Sequence, residues 1–212
     1  MMNSACLLSS AYWAPVQYYA KLYAYPEVWM EAYEHYVKQT WRNRCLIAAP
    51  GGTQALTVPV VKPAADKCPM KDIRISDHGN WRHLHWNALE AAYGNSPFFE
   101  YYADDFRPFY TQKWDFLFDF NEAIRRKVCE LLDLQTDVHL TVAYGLTDVP
   151  ADDFRNAISP KVPFEADADF VSRPYYQVFR EKHGFLPGLS VADLLFNMGP
   201  EALLVLRDSV RG

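Results

Sequence analysis

Hydrophobic and polar positions along this chain follow two different spacings, and the spacing changes several times between the two ends. Alternation with a period near two, or a short apolar run bounded by turn residues, indicates a β-strand. This pattern predicts strands at residues 6–9, 28–32, 44–48, 55–61, 72–76 and 138–143. The turn sequence Pro50-Gly51-Gly52 stands between the third and fourth of these runs, so we expect them to form a hairpin.

A spacing of three and four residues between apolar positions predicts helices in other parts of the chain. Four such segments are predicted, and they start after Pro15, at residue 80, from Pro97 and from Trp114. The clearest is the last, where five apolar residues would form one buried stripe: Leu117, Phe120, Ile124, Val128 and Leu131. Near the C-terminus, Ser190 and Asp193 have the spacing of a capping box, which predicts a further helix that starts at Ser190.

The order of these elements predicts the fold class. Strands separated by helices, with one hairpin in the first third, are typical of an α/β fold with a mixed β-sheet and covering helices. An α+β arrangement is the alternative. A chain of 212 residues fits a single domain over residues 1–212, and such a domain buries roughly 70% of the surface that its unfolded chain exposes.

Composition narrows the class of protein. Hydrophobic residues make up 50% of the chain and aromatic residues 16%, and aromatic rings either fill a core or stack on the rings of a ligand. The core is the commoner place for them. The formal net charge of -5 argues against nucleic-acid binding, which needs an extended basic surface.

Cysteine spacing and the length of apolar runs indicate the cellular compartment. The cysteines at positions 6, 45, 68 and 129 form no Cys-x-x-Cys pair, so we expect reduced thiols and a cytoplasmic location. The N-terminus lacks a basic leader, and no stretch approaches the ~20 apolar residues that span a bilayer. We therefore expect a protein that is neither secreted nor inserted in a membrane.

Residues 34–44 form a candidate binding segment, because Lys38, Arg42 and Arg44 place three cations in a chain of negative net charge. If residues 41–47 are extended, Arg42 and Arg44 share one face while Trp41 and Asn43 share the other. Two guanidinium groups on one face match a phosphate or a carboxylate, which predicts binding of a phosphorylated small molecule. Alternatively, both arginines pair with carboxylates and only stabilise the sheet, the candidates being Glu31, Glu34 and Asp72.

Residues 78–89 contain three histidines, and a helix from residue 80 would place His85 beside Trp81 on an inward face. A neutral imidazole there could be a general base near pH 7, or a core histidine that bonds to a backbone carbonyl. A metal site made of His78, His83 and His85 is not expected, because no acidic or thiol ligand has a matching spacing.

Asp193 and Asn197 lie four residues apart on the predicted C-terminal helix and could both line a pocket. Capping of the helix is the alternative role for Asp193. The glycine patterns of P-loop, dinucleotide-binding and nucleophile-elbow enzymes are absent from the sequence. We therefore expect no cofactor and no metal.

Five strings occur in the same order in one bacterial family: SAYWAPVQYYAKL at 10–22, YVKQTWRNRCLI at 36–47, LTVPV at 56–60, NWRHLHWNAL at 80–89 and SVADLLFNMGPEA at 190–202. In these strings, which extend over nearly the whole chain, the protein resembles the WbqC-like protein family. Two departures are an altered sequence at Tyr33, Glu34 and His35, and the lack of a Gly-Pro-Ala-Ala segment before the C-terminal helix. The matches include every candidate site residue: Lys38, Trp41, Arg42, Asn43, Arg44, Trp81, His85, Asp193 and Asn197.

The resemblance implies a role in the biosynthesis of surface polysaccharide, such as the O-antigen of lipopolysaccharide. We expect a transferase that moves an acyl or aminoacyl group onto a nucleotide-activated amino sugar. Arg42 and Arg44 would bind the diphosphate, His85 would be the general base, and Asn43 or Lys38 would donate to a developing oxyanion. The alternatives are a non-catalytic nucleotide-sugar-binding or accessory protein that works with enzymes of the same pathway, and a structural protein without a ligand. Convergence of His85 with both arginines in one pocket would favour a ligand.

Overall fold

The computed structural model describes residues 4–63 and 67–211. The prediction that the N-terminus lacks a basic leader falls partly on residues 1–3, which lie outside the described residues. The strands in these ranges are β1 (Ala5–Ser9), β2 (Glu27–Glu31), β3 (Arg44–Ala49), β4 (Gly52–Thr57), β5 (Asp137–Leu140) and β6 (Ala151–Asp153). Four of them form a parallel sheet in the order β5-β2-β1-β6. β3 and β4 form a separate antiparallel hairpin.

Helices connect and cover these strands. They are α1 (Val16–Ala24), α2 (Trp81–Tyr93), α3 (Phe99–Thr111), α4 (Leu117–Leu131), α5 (Arg180–His183), α6 (Val191–Met198) and α7 (Ala202–Asp208). Short 3-10 turns occur at Met70–Asp72, His78–Asn80, Phe164–Ala166 and Gly199–Glu201. Among the described residues, no helix is long and apolar enough to cross a membrane.

The predicted α/β fold is confirmed. Parallel pairing occurs in the four-stranded sheet, and antiparallel pairing occurs in the separate hairpin of β3 and β4. Long crossovers connect the parallel strands, as parallel pairing requires, whereas a short turn brings β3 and β4 together directly. Gly52 in this turn has a φ angle of 120°, which residues with a side chain rarely adopt. The hairpin packs against α2 and α6, and it does not join the parallel sheet.

The prediction of a strand at residues 72–76 is wrong. Ile75 forms an isolated bridge with Val60, and Arg74 forms another with Phe116. The segment lies between two different partners, so its alternating residues bury their side chains without a continuous ladder of hydrogen bonds.

The condition under which Arg42 and Arg44 would share one face, an extended segment over residues 41–47, is not met. Residues 41–43 form a turn, and β3 begins only at Arg44. Gln39, two residues before this turn, has a φ angle of 57°, which belongs to the left-handed region. Arg42 and Arg44 therefore do not share one face of a strand.

The predicted stripe on α4 is part of the main hydrophobic core. Four of its five residues are at most 1% exposed and the last is half-buried: Leu117, Phe120, Ile124, Val128 and Leu131. One contiguous core cluster includes residues of the helices, the hairpin and one face of the parallel sheet. All four cysteines are free, as their spacing predicted.

The order of the parallel strands marks a place where a ligand site is expected. β1 lies between β2 and β6, so the chain leaves β1 toward one side of the sheet and later returns to its other side. In open α/β sheets, ligands bind outside the carboxyl ends of the strands where the strand order reverses in this way. Here that place lies beyond Ser9 and Asp153, the last residues of β1 and β6.

Candidate functional site

The carboxyl end of β1 is closed by a buried ion pair. Arg42 donates from Nε to Oε1 of Glu34 at 2.9 Å and from Nη2 to Oε2 of the same carboxylate, and each side chain is less than a tenth exposed. The remaining guanidinium contacts are with Ser9 Oγ at 2.9 Å and Thr40 Oγ1 at 3.2 Å. Arg42 is therefore fully engaged, as in the alternative that the sequence left open, and its charge is balanced inside the protein.

A second buried carboxylate joins the ends of β2, β5 and β6. Glu31, which is fully buried, accepts hydrogen bonds from Thr141 Oγ1 at 2.9 Å, from the backbone N–H of Gly145 at 2.6 Å and from Arg155 Nη1 at 2.9 Å. Arg155 also forms an ion pair with Asp153 at 2.7 Å. Many α/β proteins bind ligands at this edge of the sheet. Here the ion pairs of Arg42 with Glu34 and of Arg155 with Glu31 fill most of it.

Trp41 separates two hollows next to this edge. On one side is a crevice of about 10 Å³, too small for more than a single water molecule, which Ser9, Ser10 and Arg42 line. On the other side is a cavity of about 350 Å³, a volume within the range of small-molecule sites. Trp41 lines both hollows, and we call the larger one the Trp41 cavity.

The Trp41 cavity is formed by segments that are far apart in the chain. One wall is the start of α1 with Gln17, another is Leu46 of β3, and a third is the irregular segment 159–173. Its lining is rich in aromatic rings: Trp41, Phe164, Phe170, Tyr175 and Phe185. Lys161 and Arg173 also line the cavity, and both are exposed. Rings combined with accessible cations can stack on a planar or sugar ring and bind an anionic group.

His85 lies in the core, away from both hollows. It is 6% exposed, and its Nδ1 is 2.9 Å from the hydroxyl of Tyr12, which lies 2.8 Å from the hydroxyl of Tyr110. Trp13 Nε1 donates to Tyr110 at 2.8 Å, and the backbone carbonyl of Thr57 is the hydrogen-bond acceptor at the His85 ring. These groups form one chain of hydrogen bonds that passes through the imidazole and ends at the Thr57 carbonyl.

Burial determines the charge of His85. Loss of hydration lowers its pKa from 6.5 to about 4, and the hydrogen bond to the Thr57 carbonyl opposes this change only in part. Trp81 packs edge-on against the ring at 5.1 Å between centroids, and neither residue lines the Trp41 cavity or the crevice. His85 is thus a neutral core histidine at pH 7, and it does not converge with Arg42 and Arg44.

The other candidates of the basic segment are dispersed. Asn43 donates from Nδ2 to the backbone carbonyl of Val58 at 2.9 Å, and the backbone carbonyl of Asn43 accepts from the Val58 N–H at 2.8 Å. Arg44 is half-buried on β3, and its Nε has no hydrogen-bond partner among the described residues. Lys38 is exposed, and it makes no ion pair in the described part of the chain. Asn43 therefore extends the hairpin, while the Lys38 ammonium remains open to solvent.

Asp193 and Asn197 are both buried on α6, but Asp193 does not cap the helix. Its carboxylate accepts from the Tyr175 hydroxyl at 2.7 Å and from Gln177 Nε2 at 2.8 Å, while Asn197 Nδ2 donates to the Asp193 carbonyl at 2.7 Å. Burial raises the pKa of Asp193 from 3.8 to about 6, and these donors oppose the rise. Because Tyr175 lines the Trp41 cavity, Asp193 supports its wall from behind.

The structure therefore divides the candidate residues predicted from the sequence. Trp41 lines the cavity, Arg42 lines the crevice, and Asp193 reaches the cavity through Tyr175. The sequence patterns did not indicate Gln17 or the segment 159–173, which follows β6 as a polar stretch. A signal was present there, because residues 160–164 combine two prolines, a lysine and a phenylalanine, a composition that favours a fixed, ring-bearing loop.

Comparison with known proteins gives one family and one relative. The model of the WbqC-like protein family matches residues 10–159. An uncharacterized protein of Mycobacterium tuberculosis (strain H37Rv) is 28% identical over 194 residues, which cover 81% of this chain and 84% of that protein. No solved structure matches the chain.

Proposed function

Because the chain belongs to the WbqC-like protein family, we propose that it acts in bacterial surface polysaccharide biosynthesis by binding a nucleotide-activated sugar in the Trp41 cavity. The observation that carries this proposal is the combination of rings and accessible cations around one hollow of about 350 Å³. Trp41 and Phe164 offer apolar faces for a sugar or base ring. Lys161 and Arg173 offer the positive charge that a diphosphate requires.

The proposal assigns phosphate binding to different residues from those the sequence suggested. Arg42 already has a carboxylate partner in Glu34, and a second anion could bind there only by breaking a buried pair. Lys161 lines the cavity and makes no ion pair among the described residues. Arg173 donates to a backbone carbonyl, that of Asp208, at 2.8 Å, so part of its donor fork remains available to a ligand.

Calorimetric titration with UDP-N-acetylglucosamine and related nucleotide sugars tests this proposal. The double variant Lys161→Ala/Arg173→Ala should weaken binding about tenfold or more, because each charge-assisted hydrogen bond contributes about 1.5–3 kcal/mol. Arg107→Ala, which removes an exposed cation paired with Glu90 on another part of the surface, is the matched control. Equal affinities of the wild type and the double variant would exclude the cavity as the phosphate site.

Glu165 supports a second candidate function, the transfer of an acyl or aminoacyl group to the amino sugar. It is the carboxylate among the residues that line the cavity, whereas His85 lies in the core. In such a step the amine nitrogen attacks the carbonyl carbon of an activated donor, Glu165 takes the proton from the nitrogen, and the donor's leaving group departs. In a transfer assay, Glu165→Gln should lower the rate about 10²- to 10⁴-fold with nucleotide-sugar affinity retained; an unchanged rate would leave only the binding function.

The cellular setting belongs to the same proposal. A protein that binds nucleotide sugars meets its ligand in the cytoplasm, where these activated sugars are made, and its macromolecular partners would be enzymes of the same pathway. Because the formal net charge is -5, the local cations Lys161 and Arg173, and not the overall charge of the protein, would attract a phosphorylated ligand.

A further inference from the structure

Gln17 lines the Trp41 cavity and uses only part of its hydrogen-bonding capacity. The residue is 7% exposed and belongs to the first turn of α1. Its Nε2 donates to Oδ2 of Asp167 at 2.8 Å, whereas its Oε1 has no hydrogen-bond partner within residues 4–63 and 67–211. Oε1 does not belong to the fully enclosed side-chain atoms that lack a partner, so it is accessible, and an accessible acceptor at the wall of a cavity can bond to a donor group that the protein itself does not supply.

Asp167 determines which amide atom of Gln17 is left over. A carboxylate only accepts hydrogen bonds, so the NH₂ group of the amide must be the end that faces Asp167. The carbonyl oxygen is then the end without a protein partner among the described residues. The amide orientation therefore follows from chemistry and does not depend on distinguishing oxygen from nitrogen.

Lys21 holds this carboxylate in place. Its Nζ is 2.8 Å from Oδ1 of Asp167, and the two side chains are 2% and 5% exposed. Gln17 and Lys21 are four residues apart on α1, so they lie on the same face of the helix. The ammonium also lies 4.4 Å from the centroid of the Phe154 ring. The Lys21 ammonium balances the negative charge of Asp167 beside a cavity proposed to hold phosphate.

We propose that Gln17 is a specificity-determining residue of the Trp41 cavity, whose Oε1 accepts a hydrogen bond from a hydroxyl or amide N–H of the bound sugar. Asp167, held by Lys21, is the positioning residue that fixes this orientation. The inference rests on the proposed function and adds the feature by which a sugar nucleotide is distinguished from the free nucleotide. A ligand without such a donor leaves the acceptor unpaired and binds more weakly.

The test compares the affinities for UDP-N-acetylglucosamine and for UDP, each measured by calorimetry. Gln17→Met keeps the approximate size of the side chain and removes both polar atoms. It should weaken binding of the sugar nucleotide about tenfold, the worth of about one hydrogen bond, and leave the affinity for UDP nearly unchanged. Gln54→Met, at an exposed position of β4, is the matched control and should change neither affinity.

The double variant Lys21→Met/Asp167→Asn tests the positioning role without leaving a buried charge unpaired. The new amide at this position offers both a donor and an acceptor, so the Gln17 amide can turn over. The preference for the sugar nucleotide should then fall several-fold while the thermal melt stays cooperative. A wild-type protein that binds neither probe contradicts the proposed function and this inference with it. A wild-type protein that binds both, with the same affinity ratio in Gln17→Met, overturns the role of Gln17 alone.

Discussion

Two regions of this protein place polar groups among aromatic rings, and they differ in where the hydrogen bonds end. In the core, the hydroxyls of Tyr12 and Tyr110 and the ring of His85 are each bonded to another group of the protein. Around the Trp41 cavity, Oε1 of Gln17 has no partner among the described residues, and the rings surround a hollow of about 350 Å³.

The comparison shows that residue type alone does not identify a site. Histidine, tryptophan and tyrosine in a short segment are typical of both a catalytic centre and a core, and here the segment 78–89 contributes to the core. The network of Tyr12, Tyr110 and His85 differs from Gln17 because each of its polar groups has a partner within the chain, and a closed network stabilises the fold whereas an open, accessible acceptor can bind a ligand. The indole Nε1 atoms of Trp81 and Trp86 also lack a partner among the described residues, but they are enclosed and do not line the Trp41 cavity.

The largest effect is expected at the ion pair between Arg42 and Glu34, which borders the crevice. Glu34→Gln should lower the free energy of unfolding by about 3–5 kcal/mol, because it leaves the buried Arg42 guanidinium without its counter-charge. Urea denaturation measures this loss. Glu90→Gln, in the exposed pair with Arg107, is the control and should change stability by less than about 1 kcal/mol. If Glu34→Gln is as stable as the wild type, Arg42 does not need Glu34 as its counter-charge and again becomes a candidate for binding a ligand.

The next effect concerns the closed network and appears as a dependence of stability on pH. The pKa of His85 is lowered to about 4 in the folded chain, so between pH 6.5 and 4 the unfolded chain takes up a proton that the folded chain does not. Stability is complete above pH 6.5, and about 3 kcal/mol should be lost as the pH falls to 4. Relative to His85→Gln, the wild type should lose stability over this range.

Asp193 provides a control, because its contribution to stability should change with pH in the opposite direction to that of His85. Its pKa is raised to about 6, so the folded chain takes up this proton first, and the contribution of Asp193 to stability is lost as the pH rises through 6. Relative to Asp193→Asn, the wild type should gain about 3 kcal/mol as the pH falls from 6 to 4. Urea denaturation at pH 7, 5.5 and 4 separates the two contributions. A His85→Gln difference that does not vary with pH would mean that His85 is hydrated and takes up its proton in the folded chain as it does in the unfolded chain.

The smallest expected effect concerns the Trp41 cavity. Trp41→Ala should weaken binding of a nucleotide sugar by about 1–3 kcal/mol, the usual contribution of stacking on one aromatic ring. Trp41→Phe keeps a ring at the same position and should recover most of the affinity. Calorimetry on the three proteins provides the measurement, and equal affinities would show that the ligand does not contact this wall of the cavity.

Local patterns predicted most of the elements correctly. The stripe on α4, the start of α6 after Ser190 and the hairpin around Gly52 all follow from spacing or turn chemistry within a few residues. The strand at 72–76 was predicted wrongly because its alternation is real, while its partners, Val60 and Phe116, belong to two different segments.

The sequence by itself determined the α/β class, the family resemblance and the apolar faces of the helices, because each of these depends on residues that are neighbours in the chain. Only the tertiary structure decided which polar groups are satisfied. Gln17 and Asp167 are 150 positions apart, and Tyr12 and His85 are 73 positions apart. A hydrogen bond requires about 3 Å between two atoms, and no local spacing reveals which distant residues the fold will bring to that distance. The difference between a core histidine and a catalytic one is therefore a property of packing.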